Sequence, residues 1–244
     1  MPSPASPEET YLRCFDTFLQ RNSFTGSGPS FLADVQSLAK TSGPSSSSSG
    51  AHLMNAMLAL GAMQAHALGP SPERPRAALH FALDAYARSI SDLRAAVAEA
   101  PAPHAAILWS TFFLGLFEVR WTPFSSVPGF IPASDVRSQL MQDPSGQRWL
   151  QHMVFGTSRA LTAIGPVGIR SDPLRNFFVQ VRAFEVCRSI IFNDASFLAT
   201  PEWVEAIRGM GDSHLPEQVL EIVASCADLR ARFVTLKSRI VFFR

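Results

Sequence analysis

Cysteine is scarce in this chain. Cys14, Cys187 and Cys226 are the only three in 244 residues and form no C-x-x-C pair. An odd number of scattered thiols points to a reducing compartment, with each expected as a small core residue. Lysine is scarcer still, at Lys40 and Lys237 alone. Charged residues make up 17% of the chain, below the roughly 25% usual for a soluble domain. The 21 basic and 20 acidic residues leave a formal net charge of +1 with no block of one sign. A phosphate backbone would find no electrostatic footprint here, so direct DNA binding is not expected.

Long apolar runs are missing too. The most apolar stretch, Ala105 to Phe117, falls well short of the roughly 20 residues that cross a bilayer, so no membrane span is expected. The opening MPSPASPEET has no basic segment followed by an apolar one, so no secretory leader is expected and the nucleus or cytoplasm is the expected compartment. The six histidines are dispersed, with no H-x-x-x-H or H-E-x-x-H; His52 and His66 read as core or rim residues, and neither metal nor cofactor is expected. Phosphate-binding loops, dinucleotide fingerprints and G-x-S-x-G are likewise absent, which removes the sequence basis for nucleotide-dependent and serine-hydrolase chemistry. No segment alternates as a strand does.

What remains is apolar and helical. Hydrophobic residues reach 47%, 19 of them Phe, and a chain of this length supports one large core. Ser6, Pro7 and Glu9 form a capping box, and Leu12, Phe15 and Leu19 follow at helical spacing to about Arg21. Leu32, Val35 and Leu38 predict a shorter helix, followed by a Ser-rich tether over 41–50. His52 to Leu68 carries no charge and predicts a central helix buried nearly all round. After a breaker at Gly69 to Pro75, Leu79, Leu83, Tyr86, Ile90, Leu93 and Val97 mark an amphipathic helix. His104 to Arg120 predicts a second buried helix.

Residues 121–148 hold four prolines and two glycines, and their length fits a lid or a packed irregular loop better than a simple connection. A helix over Trp149 to Pro166 should stop at Gly165 and Pro166. Asp172 and Pro173 open the next, with Phe177, Val181, Phe184, Cys187 and Ile191 on one face. Thr200 and Pro201 open a short helix containing Trp203. From Val219 through Ile222, Cys226, Leu229, Phe233, Leu236 and Ile240 to Phe243, apolar residues keep a strict alternation of three and four. The expected class is all-α, a single multi-helix domain over 1–244 with long Pro/Gly-rich loops.

In order along the chain, ALDAYARSISDLRAAV (Ala82 to Val97), ILWSTFFLGLFEV (Ile107 to Val119), WLQHMVFGTSRALTAIGP (Trp149 to Pro166), RNFFVQVRAFEVCRSI (Arg175 to Ile190) and FLATPEW (Phe197 to Trp203) resemble successive segments of the fungal-specific transcription factor domain. That domain is the helical regulatory region that usually follows a zinc-cluster DNA-binding module in fungal regulators. The resemblance spans roughly Tyr11 to Ser238. It implies an all-α regulatory fold, without the six-cysteine zinc cluster that reads DNA. It also implies that the helical region continues past Arg244, and the uncapped stripe ending in RIVFFR fits either lost residues or a partner chain.

Trp149, His152 and Gly156 fall near one helical face, where glycine would let a neighbouring helix approach and Trp and His would each need a polar partner. This reads first as a packing seam. If a pocket lies there, His152 and Arg182 are the candidate ligand-orienting or catalytic residues, lined by Trp121, Trp149, Glu118 and Glu185, with Arg182 and Glu185 one turn apart and able to pair. Two functions are expected from these residues. One is a regulatory or ligand-sensing domain tied to fungal secondary metabolism, taking a hydrophobic small molecule and meeting a protein partner or second copy through its C-terminal helix. The other is an enzyme that cyclises or isomerises an apolar intermediate in a shaped, dry pocket.

Overall fold

A computed structural model describes residues 6–21, 30–40, 50–68, 73–99, 105–121, 156–170, 172, 174–210 and 215–242. The described residues are all-α, with no strand among them. They cluster into two compact units, Met1–Met153 and Val154–Arg244. The Ser-rich tether over 41–49, the Pro-rich segment over 122–148 and the stretch containing Trp149 and His152 lie outside the described residues.

The first unit is built around its least charged helix. Helices α1 (Pro7–Arg21), α2 (Ser30–Lys40), α4 (Glu73–Glu99) and α5 (Ala105–Trp121) all pack on α3 (Ala51–Leu68). A helix surrounded in this way has no wet side on which a charge could sit, which is why His52 to Leu68 carries none. The expected cap forms at the entrance to α1, where Ser6 Oγ accepts from the Glu9 N–H at 3.1 Å. The Glu9 carboxylate meanwhile turns outward to Arg13 at 3.0 Å. Leu53, Met57, Leu60 and Met63 of α3 meet Phe15 of α1 and Trp109, Phe113 and Phe117 of α5 in a dry centre. Phe15 and Phe113 lie edge to face at 5.0 Å, and Trp109 stacks on Phe113 at 5.4 Å, geometries favoured by the ring quadrupole.

The close approach in this unit falls at Gly61. A Cβ there would collide with the Tyr11 carbonyl oxygen, so α1 crosses α3 backbone to backbone at that point. For Gly156, given that role on the sequence, Trp149 and His152 of the same stretch lie outside the described residues.

The second unit contains α6 (Thr157–Gly168), α7 (Leu174–Phe192), a 3₁₀ turn (Phe197–Ala199), α8 (Pro201–Arg208) and α9 (Leu215–Phe242). Helix α6 breaks where expected, since Gly165 takes a φ of 73° that a side chain would resist, and Pro166 begins one further turn. Helix α7 packs on α6 and α9, and α8 on α6 and the 3₁₀ turn. Trp203 stacks on Phe178 at 5.8 Å and tilts against Phe197 at 4.7 Å, which ties α8 and the turn to α7. Arg175 adds a bond across the unit, donating to the Met210 carbonyl at 2.8 Å.

One expected face is corrected here. On α7 the buried side is Phe177, Phe178, Val181, Arg182, Glu185, Val186, Arg188 and Ser189, while Cys187 and Ile191 are exposed. The apolar periodicity misplaced this face because a bonded ion pair occupies positions that a polarity count assigns to water. On α9 the buried side is Ala224, Ala227 and Ala231, and the large apolar stripe faces outward. Cys226 is exposed with that stripe and Cys14 is half-buried, so none of the three cysteines is the core residue expected of it. Burial nonetheless raises the Cys14 thiol above its ordinary value.

Candidate functional site

Three polar clusters lie among the apolar residues, and each can be built from its helix upward. In the first unit, His52 of α3 and Ser110 of α5 are both buried, with His52 Nδ1 and Ser110 Oγ at 2.7 Å. The Ser110 hydroxyl is directed at its own helix, donating to the Ala106 carbonyl at 2.8 Å, so the ring nitrogen supplies the proton of the His–Ser bond. Ser89 of α4 donates to the His52 carbonyl at 2.6 Å. A serine directed at a backbone carbonyl and sealed from solvent is not poised as a nucleophile. His52 is the core residue expected, and it pins α3, α4 and α5 together.

Between α4 and α5, the Tyr86 hydroxyl donates to Glu118 Oε1 at 2.7 Å, with the Tyr86 ring stacked on Phe117 at 4.7 Å. Burial, and then the Glu118 carboxylate, raise the Tyr86 hydroxyl far above its ordinary value, so it stays protonated and donating. Glu118, an expected pocket residue, therefore has a partner within its own unit. Trp121 ends α5, and its side chain lies outside the described residues.

The most charged cluster belongs to the second unit and centres on Arg188, which the sequence reading missed. Its Nε donates to Glu185 Oε2 at 2.8 Å and its Nη2 to Oε1 at 2.8 Å, a two-pronged grip. Nη1 reaches Asp194 at 2.6 Å, and Nη2 also reaches the Ala195 carbonyl at 2.9 Å. Ser196 Oγ donates to Glu185 Oε1 at 3.1 Å and accepts from the Leu198 N–H, capping the 3₁₀ turn. Asn193 turns the chain back with a φ of 51°, a left-handed conformation that asparagine tolerates. The bonds to Glu185 chiefly, with Asp194 beside it, raise Arg188 above its ordinary value despite burial. Glu185 is thus paired with Arg188. The Arg182 guanidinium stands 5.8 Å from the Phe178 ring centroid, within reach of a cation–π contact.

The sequence-derived candidates are distributed between the two units and the residues outside the description. Glu118 belongs to the first unit, Arg182 and Glu185 lie on α7 in the second, and Trp149 and His152 lie outside the described residues. Arg188 had a signal, since it stands one turn from Glu185 and six residues before Asp194. Ion-pair spacing alone did not choose between two arginines flanking one glutamate.

No cluster of three or more metal-ligating side chains occurs among the described residues, and no described helix is long and apolar enough to cross a membrane. A further surface feature is α9, where Ile222, Leu229, Phe233 and Leu236 are 61%, 66%, 68% and 58% exposed. The chain matches no family model, no curated protein and no solved structure in the comparisons made with each.

Proposed function

We propose that this chain is a helical regulatory domain, of the kind its ordered segments resemble in fungal zinc-cluster regulators. It senses an apolar metabolite and acts on transcription in the nucleus through protein contacts. One observation carries this reading: the large apolar residues of α9 face outward, where they suit a protein surface rather than a fold interior. The polar clusters support it from the other side. Their bonds fasten helices to one another, and the serine and tyrosine hydroxyls within them are directed at backbone or carboxylate partners.

The test is deletion of the gene in its host, with transcripts of neighbouring genes and the metabolite profile measured together. Regulation predicts that transcripts and product fall together. Transcripts that hold while an unprocessed intermediate accumulates would overturn it in favour of catalysis.

A further inference from the structure

The outward stripe of α9 has a symmetry of its own. Val219, Ile222, Cys226, Leu229, Phe233 and Leu236 are all exposed, and their spacing of three, four, three, four and three reads the same from either end. This is the seam of a coiled coil. Over these 18 positions it runs about 26 Å along the helix. Charge along α9 is divided one residue beyond the centre of that stripe. The half from 215 to 228 contains Glu217, Glu221 and Asp228 and no basic residue; the half from 229 to 242 contains Arg230, Arg232, Lys237 and Arg239 and no acidic one. Glu221 and Asp228 are bonded within the chain to Arg208 at 2.9 Å and Arg232 at 2.7 Å. The charged positions that flank the seam are the basic ones, 230, 232, 237 and 239, while 218, 223 and 225 are uncharged. A parallel neighbour would set those basic positions against one another, whereas an antiparallel copy sets them beside the uncharged flank of the other chain's acidic half. The alanines at 224, 227 and 231 hold the opposite face against the unit, so the stripe is presented on a fixed helix.

We propose that α9 pairs antiparallel with α9 of a second copy of this chain. The twofold axis passes between Cys226 and Leu229, so that Val219 meets Leu236, Ile222 meets Phe233 and Cys226 meets Leu229 across the seam. Such a contact is isologous, with each patch completing its own image. The inference rests on reading the stripe as a protein-contact surface and adds the partner, the orientation and the register.

The test uses the full chain in a Cys14→Ser, Cys187→Ser background, leaving Cys226 as the only thiol. Light scattering at micromolar concentrations should give about twice the 26.6 kDa chain mass. Leu229→Asp with Phe233→Asp should return it to the single-chain mass while the circular dichroism spectrum stays helical. Under mild oxidation Cys226 alone should not cross-link, and adding Leu229→Cys should yield a covalent dimer. A single-chain mass for the parent at all concentrations overturns the pairing, as does a double-Asp variant that stays dimeric. Ready cross-linking of Cys226 to itself, without Leu229→Cys, overturns the antiparallel register.

The broader reading is separated by putting the double-Asp chain into the host. If the parent is monomeric in solution but the variant loses transcriptional effect, self-pairing fails and the protein-contact reading stands. If neither mass nor transcripts respond, both fail.

Discussion

Single residues decide several features that composition leaves open. Gly61 is one, because a methyl group there would meet the Tyr11 carbonyl. Helix propensity favours alanine over glycine by about 1 kcal/mol, but overpacking against backbone costs about 1–3 kcal/mol. Gly61→Ala should therefore lower stability in denaturant titration. Arg188 is another such residue. Truncating it to Met leaves the Glu185 carboxylate buried without its cation, a loss of about 3–5 kcal/mol. The double variant Glu185→Leu, Arg188→Met should recover most of that loss, since an apolar pair of similar volume carries no desolvation penalty. Tyr86 gives a signed pH dependence. Its folded-state value lies above the unfolded one near 10, so its contribution is intact below pH 10 and declines as pH rises beyond it, where only the unfolded state releases the proton. Tyr86→Phe should flatten this alkaline decline in a stability-against-pH series, at a loss of about 1–3 kcal/mol near neutrality.

Among the elements, helix position was legible and helix facing was less so. The capping box at Ser6, the uncharged run of α3 and the Gly165–Pro166 break each left a local chemical mark, and the structure has an element or boundary at each. The faces of α7 and α9 depended on partners distant in sequence. On α7, Arg188 could enter the interior because Asp194 and the Ala195 carbonyl come back round the Asn193 turn to meet it. On α9, small side chains permit close helix contact, so the alanine face packs while the residues that a hydrophobicity count selects remain outside. This makes a prediction specific to that element. Ala227→Leu should destabilise the chain by about 1–3 kcal/mol through overpacking. Leu229→Lys, on the other face, should change monomer stability by no more than about 0.5 kcal/mol. Thermal unfolding of the two variants, side by side and at concentrations where the chain does not pair, distinguishes the faces. An expectation built on apolar periodicity alone ranks them the other way round.

At the scale of the whole molecule, the all-α class followed from the absence of strand alternation and the repeated three-and-four spacing, and it holds among the described residues. The candidate site was much less legible. Its proposed members were chosen as polar residues standing near aromatic ones, but polar side chains in an apolar chain are first of all groups that must be bonded. Glu118 is bonded to Tyr86, and Glu185 to Arg188 and Ser196, for that reason. What sets this chain apart is the apolar surface it leaves outside. The central claim is that it acts through the stripe of α9, and the direct measurement is to replace the chromosomal copy with the Leu229→Asp, Phe233→Asp variant and quantify the transcripts that gene deletion lowers. The account predicts that they fall to the deletion level while the variant protein persists, folded and at normal abundance. Transcripts that stay at the parental level with the stripe destroyed would contradict it.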